Sequence, residues 1–185
     1  MIFSLFHKET AQEKAADALY REIVAQARQP EFYIDYQVED SVTGRFEMIV
    51  LHAYMLFHRL RDEDQQARDL GQAVFDRFFK DMDHSLREIG IGDLSVPKKI
   101  KKMAQAFYGH VGAYDTSREE GDESFAAALT RNIYPDTDGI HDKAPALVDY
   151  VQACTQALAE QSVENFAKGQ IHFPAIIAVS KTGAV

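Results

Sequence analysis

Asp81 and His84 stand three residues apart in a segment of helical periodicity. At that spacing a carboxylate and an imidazole on one helix face can share a metal ion, as the Glu-x-x-His pairs of di-iron bundles do. Glu47 and His52, on another helical segment, are the imaginable partners; the other Asp-x-x-His, Asp138 to His141, falls in a Gly-containing loop. A di-iron site needs two such pairs and two more inward carboxylates. The reading that fits is therefore a solvated charged face carrying a helical histidine, with His52 a hydrogen-bonded core residue. Neither a metal nor a cofactor is expected. Nucleophilic chemistry has less support. Cys154 occupies an apolar helical position, where a thiol behaves as a small hydrophobe. No Gly-x-Ser-x-Gly elbow or P-loop is present, and Gly90-Ile91-Gly92 is too short for a dinucleotide fingerprint. The expectation is a protein with no catalytic residues, not an enzyme.

The more unusual feature is electrostatic. Lys98, Lys99, Lys101 and Lys102 fall within five positions, and no acidic residue occurs between Leu94 and Tyr114, in a chain of 185 residues with net charge −9. On a helix these lysines lie opposite a stripe of Val96, Ile100, Met103 and Phe107. A lysine face is commonly only a solubilising surface. The functional alternative is a patch for an acidic polypeptide, an anionic membrane surface or RNA. The overall acidity argues against broad nucleic-acid binding, and no DNA partner is expected. Gly109-His110-Val111-Gly112 matches the Gly-x-x-Gly loop of KH domains, but the sheet that module needs is missing, and the pair reads as a helix end. Acids cluster elsewhere, at Glu31 to Asp40 and Asp115 to Glu123.

The elements that must position these residues are helical. Apolar residues recur at helical spacing over about 8–28, 44–61, 64–89, 96–110, 118–133 and 144–167. The second segment is apolar nearly all round, as a central buried helix is. Pro30 ends the first, Gly90 the third and Gly169 the last. Ser95 caps the fourth, and Ser117 with Glu120 matches a capping box for the fifth. Phe32 to Val38 favours extended structure, and the last stretch, Ile171 to Val185, reads as a short strand or an extended tail packed on the bundle. The fold expected is all-α, a single-domain bundle of about six helices over 1–168 with a C-terminal tail over 169–185. The single cysteine points to a reducing compartment. Met1 to Lys14 lacks the features of a secretory signal, and the longest mostly apolar run, Phe46 to Phe57, is too short to span a bilayer.

Three stretches carry a resemblance. GRFEMIVLHAYMLFHRL (Gly44 to Leu60), FKDMDHSLREIGIGDLSVPKKIKKMAQAFYGHVGAYD (Phe79 to Asp115) and LTRNIY (Leu129 to Tyr134) resemble the ubiquinol–cytochrome c chaperone family over roughly residues 8 to 165. The resemblance implies a chaperone that binds newly made cytochrome b or another nascent membrane subunit, with a small partner protein and the ribosome among the contacts of mitochondrial members. The short N-terminus points to a bacterial-type member, so organelle import and ribosome docking are not carried over. The localisation implied is cytoplasmic, peripheral at the cytoplasmic face of the inner membrane. Carried onto this chain, Asp81, Asp83, Arg87, Glu88, Gly90, Gly92, Asp93 and Leu94 form the motif's turn. Gly90 ends one helix, and Asp93 is expected to bond free amides opening the next. Lys98, Lys99, Lys101, Lys102 and Tyr108 flank that turn as a partner-binding surface, which Arg131 joins or, with Asn132, caps its own helix. An RNA- or ribosome-contacting adaptor using the same lysines is the alternative.

Overall fold

The computed structural model describes residues 9–177 and 179, so the reading of the chain's start up to Lys8 and of the tail beyond Val179 lies outside the described residues. Among the described residues the fold is all helical, with no strand. The elements are α1 (Ala11–Ala27), α2 (Pro30–Ile34), α3 (Val42–Leu60), α4 (Gln65–Glu88), α5 (Val96–Glu120), α6 (Asp122–Ile133), α7 (Ala144–Ala159) and α8 (Val163–Ala167). Six are long, as the periodicity leads one to expect, and α2 and α8 are single short turns.

Helix α3 is the axis of the bundle. It packs against α1, α4, α5, α6 and α7, and an unbroken run from Glu47 to Leu56 is buried. A helix surrounded on all sides must be apolar on all sides, which is what its sequence shows. Its start is tight. A Cβ on Gly44 would lie 2.0 Å from the Glu39 carbonyl oxygen, so only glycine lets the entering chain fold back onto the first turn.

Several boundaries differ from expectation. Phe32 to Val38 is not extended: Pro30 opens α2, and Asp35 and Tyr36 both donate backbone N–H bonds to the Glu31 carbonyl, at 2.8 and 3.1 Å. With no strand beside it, the segment satisfies its amides locally. Helix α5 does not end near residue 110 but runs through both glycines to Glu120, because buried Phe107 and Tyr114 carry its apolar stripe onward. Ser117 is consequently no cap. It is buried inside α5 with its hydroxyl donating to the Tyr114 carbonyl at 3.2 Å, and the break falls at Gly121, φ +117. The capping box of this protein is at Thr10 and Glu13, each bonding the other's backbone N–H. The sixth segment is two helices, α8 restarting on a Ser162 cap.

Over residues 170–177 the chain forms neither helix nor strand. Ile171 is buried, and Phe173 and Ile176 rest partly buried on the core, while Ile177 is exposed. The Gln161 side-chain amide holds this strip as a neighbouring strand would, donating to the His172 carbonyl at 2.8 Å and accepting from the His172 N–H at 2.9 Å.

Candidate functional site

The residues singled out by charge and motif meet at the corner between α4 and α5. Helix α4 ends in a Schellman arrangement: Gly90 takes φ +86, its N–H bonds the Arg87 carbonyl, and the Ile91 N–H bonds the Leu86 carbonyl. Arg87 ties the corner together. Its guanidinium donates to both oxygens of Asp83, at 2.6 and 3.2 Å, and to Asp93 across the turn. Those hydrogen bonds hold the Asp83 carboxyl below its ordinary range. Asp93 therefore clamps Arg87 rather than capping α5, and Ser95, at the cap position, makes no side-chain cap bond. Val96, fully buried behind it, anchors the start of α5 instead.

This corner presents apolar groups to solvent. Leu94 is 98% exposed and Ile89 68%. Beside them, Lys98, Lys99, Lys101 and Lys102 are all exposed, and none forms an ion pair with a described residue. Two turns further on, Tyr108 is 59% exposed, with its ring 5.3 Å from that of Phe75. Tyr108 also lines an open groove of about 240 Å³ between α3, α4 and α5, built on Phe57, Phe75, Phe107 and Val111 with Arg61 and Arg68 among its walls. Arg61 is paired with Asp115 at 2.8 Å, whereas Arg68, among the described residues, bonds only the Glu63 carbonyl and the Gln65 side chain.

Other sequence candidates go elsewhere. Asp81 accepts from the Tyr20 hydroxyl at 2.9 Å and from Arg77 at 3.4 Å, while Arg77 also binds Asp17 at 2.8 Å. It joins α4 to α1. His84 faces Glu88 at 3.1 Å on the surface, and no group of three His, Cys, Asp or Glu among the described residues is placed to hold a metal. His141 stacks on Tyr134 at 3.9 Å and accepts from the Lys143 N–H. Arg131 is exposed at the end of α6, whose neighbour Asn132 meets Tyr114. Tyr114 is twelve residues past Lys102, about 18 Å of helix, so Arg131 does not join the lysines. His52 is fully buried. Its Nδ1 lies 2.7 Å from the Met48 carbonyl and its Nε2 2.8 Å from the Tyr150 hydroxyl. A carbonyl only accepts, so Nδ1 carries the proton and Nε2 accepts. Burial pushes this imidazole down to about 4. It likewise pushes the Cys154 thiol up to about 12, far from the thiolate that nucleophilic chemistry requires.

Two features were not anticipated. The exposure of Ile89 and Leu94 has a sequence signal, apolar residues in a motif otherwise made of turn formers and charges. The second is internal: buried Glu47 lies 2.9 Å from His110, with the Tyr114 hydroxyl and the Asn132 amide close by and no well-formed hydrogen bond among the four. A carboxylate inside the most apolar stretch of the chain was the available hint.

Residues 35–173 match the family described as Ubiquinol-cytochrome C chaperone. The crystal structure of the Cbp3 homolog from Brucella abortus superimposes with a TM-score of 0.81 at 45% identity, covering 95% of this chain and 98% of that one. Among curated relatives, ubiquinol-cytochrome c reductase complex assembly factor 1 of Mus musculus is 24% identical over 151 residues, 82% of this chain and 51% of the mouse protein. Mitochondrial protein CBP3 of Saccharomyces cerevisiae is 27% identical over 149 residues, 77% of this chain and 44% of the yeast protein. The chain thus spans about half the length of these two relatives.

Proposed function

The chain belongs to the ubiquinol-cytochrome c chaperone family, and from that premise we propose that it is a non-catalytic, stoichiometric assembly chaperone for ubiquinol–cytochrome c reductase whose client is the immature cytochrome b subunit. The observation that carries this reading is the α4–α5 corner, where Leu94 is 98% exposed beside four lysines that no carboxylate of the described residues neutralises. Exposed apolar side chains beside unpaired cations suit a contact with an apolar, acidic partner or an anionic membrane surface.

In this reading Leu94, Ile89 and Tyr108 cover apolar parts of the client, and Lys98, Lys99, Lys101 and Lys102 engage its acidic groups and the anionic headgroups around it. Asp83, Arg87 and Asp93 hold the corner in shape, and Asp81 fixes α4 beneath it. No bond is made or broken. No helix of the described residues is long and apolar enough to cross a membrane, which suits peripheral work at the cytoplasmic face of the inner membrane.

Tagged protein recovered from cells assembling the complex should bring down cytochrome b. Leu94→Asp combined with Lys99→Glu should lower that capture about tenfold or more without lowering the melting temperature. Unchanged levels of the assembled complex after deletion of the gene overturn the proposal. Ribosome co-sedimentation without client capture would replace it with the adaptor reading.

A further inference from the structure

The outward face of α5 is not explained by anything the bundle needs. At about 100° per residue, Lys98, Lys101 and Lys102 share one side of the helix with Gly109 and Gly112 at its middle and Glu119 and Glu120 at its far end. All are exposed. Helix α5 packs on α3, α4 and α6, which leaves this side open. The two glycines have no internal reason to be there. A Cβ on either would meet nothing within 4 Å, yet glycine weakens a helix interior relative to alanine.

We propose that this face is where two copies of the chain pair, their α5 helices antiparallel about a two-fold axis that crosses the outward face midway between Gly109 and Gly112. The stripe is self-complementary about that point. Reversed upon itself, it sets Lys101 against Glu120 and Lys102 against Glu119. Gln105 then meets Thr116, and Gly109 meets Gly112. An isologous interface demands this correspondence, each patch facing its own reverse. A parallel arrangement would set lysine on lysine. The chain's net charge of −9 opposes casual association, so only a register that lays cations on anions draws copies together.

The remaining geometry agrees. The glycines make a saddle on which a second helix can approach closely, and Tyr108, 59% exposed at its flank, supplies an aromatic anchor. The charge pairs lie about 13 Å from the axis, within reach of long side chains at a shallow crossing. None of these lysines is held in an ion pair by a described residue, and Glu120 merely accepts from the Ser124 hydroxyl at 2.6 Å. A contact this narrow is weak and salt-sensitive. Lys98, Lys101, Lys102 and Tyr108 also belong to the proposed client surface, so the paired and client-bound forms exclude one another; the pairing itself does not rest on the client's identity.

Sedimentation velocity of the full chain tests it. The protein should dimerise reversibly at about 100 µM in low salt and dissociate as salt rises. The variant Lys101→Glu/Lys102→Glu and the variant Glu119→Lys/Glu120→Lys should each lose about tenfold or more in self-affinity. Mixed one to one, the two should form a heterodimer, and combining all four changes in one chain should restore the homodimer. Gly109→Gln with Gly112→Gln should block pairing while the melting temperature holds or rises. Leu94→Asp with Lys99→Glu lies off the stripe and should pair as the parent does, which separates this test from that of the client. A parent that stays monomeric in low salt, charge variants that pair normally, or a mixture that does not associate overturns the proposal.

Discussion

His52 shows what a buried imidazole costs and supplies. Neutral, it satisfies Met48 and Tyr150 in the middle of the core; charged, it would have no carboxylate to face. Its folded value of about 4 lies below the ordinary 6.5, so the folded state binds fewer protons than the unfolded one between those limits. Its contribution is complete above about pH 6.5 and is lost as pH falls toward 4, a difference of about 3 kcal/mol. Urea denaturation at pH 7.5 and 4.5 should show that loss in the parent, and His52→Gln should remove the His52 share of the pH dependence, leaving that of His58 and His141, which burial also lowers. Asp81 is the second residue with a checkable structural role. Asp81→Ala leaves the half-buried Tyr20 hydroxyl without its acceptor and should lower stability by about 1–2 kcal/mol, read as a shifted urea midpoint. Asp81→Asn, which keeps an acceptor oxygen, should lose less.

At the scale of elements, the turns carry the sharpest expectations. Gly90→Ala forces a Cβ into a left-handed conformation that ends α4 and should cost about 1 kcal/mol. Gly44→Ala meets backbone and should cost about 1–3 kcal/mol, both measurable by thermal melting. The six long helices and the Gly90 stop were legible because periodicity and left-handed glycine are local signals. The length of α5 was not. Gly109 and Gly112 look like punctuation, and what carries the helix past them is the burial of Phe107 and Tyr114 against other elements, which no local pattern reports. For the same reason Ser117 looked like a cap: its neighbours in sequence suit one, but its neighbours in space bury it. The break between α7 and α8 has no Gly or Pro to announce it. At the corner, the lysines were visible as a reversal of sign, whereas the binding of Asp93 to Arg87 depends on a turn geometry that spacing alone does not give.

Over the whole molecule, charge and grease are sorted by position: acids dominate the composition, yet the α4–α5 corner keeps its lysines unpaired among the described residues and its Leu94 in water. The C-terminal strip adds another arrangement of long range. It closes over α3 with the Phe173 ring 5.3 Å from that of His52, edge to face, and is fastened by Gln161 and by the Tyr36 hydroxyl on the Ile177 carbonyl. Gln161→Ala should loosen it, seen as faster amide exchange at His172 with α1 to α7 unchanged. Phe173→Ala should let water reach the imidazole, and NMR titration should find His52 moved up from about 4 toward 6.5. The strip is then a gasket, and how well it seats sets the acidity at which the centre of the protein takes up a proton.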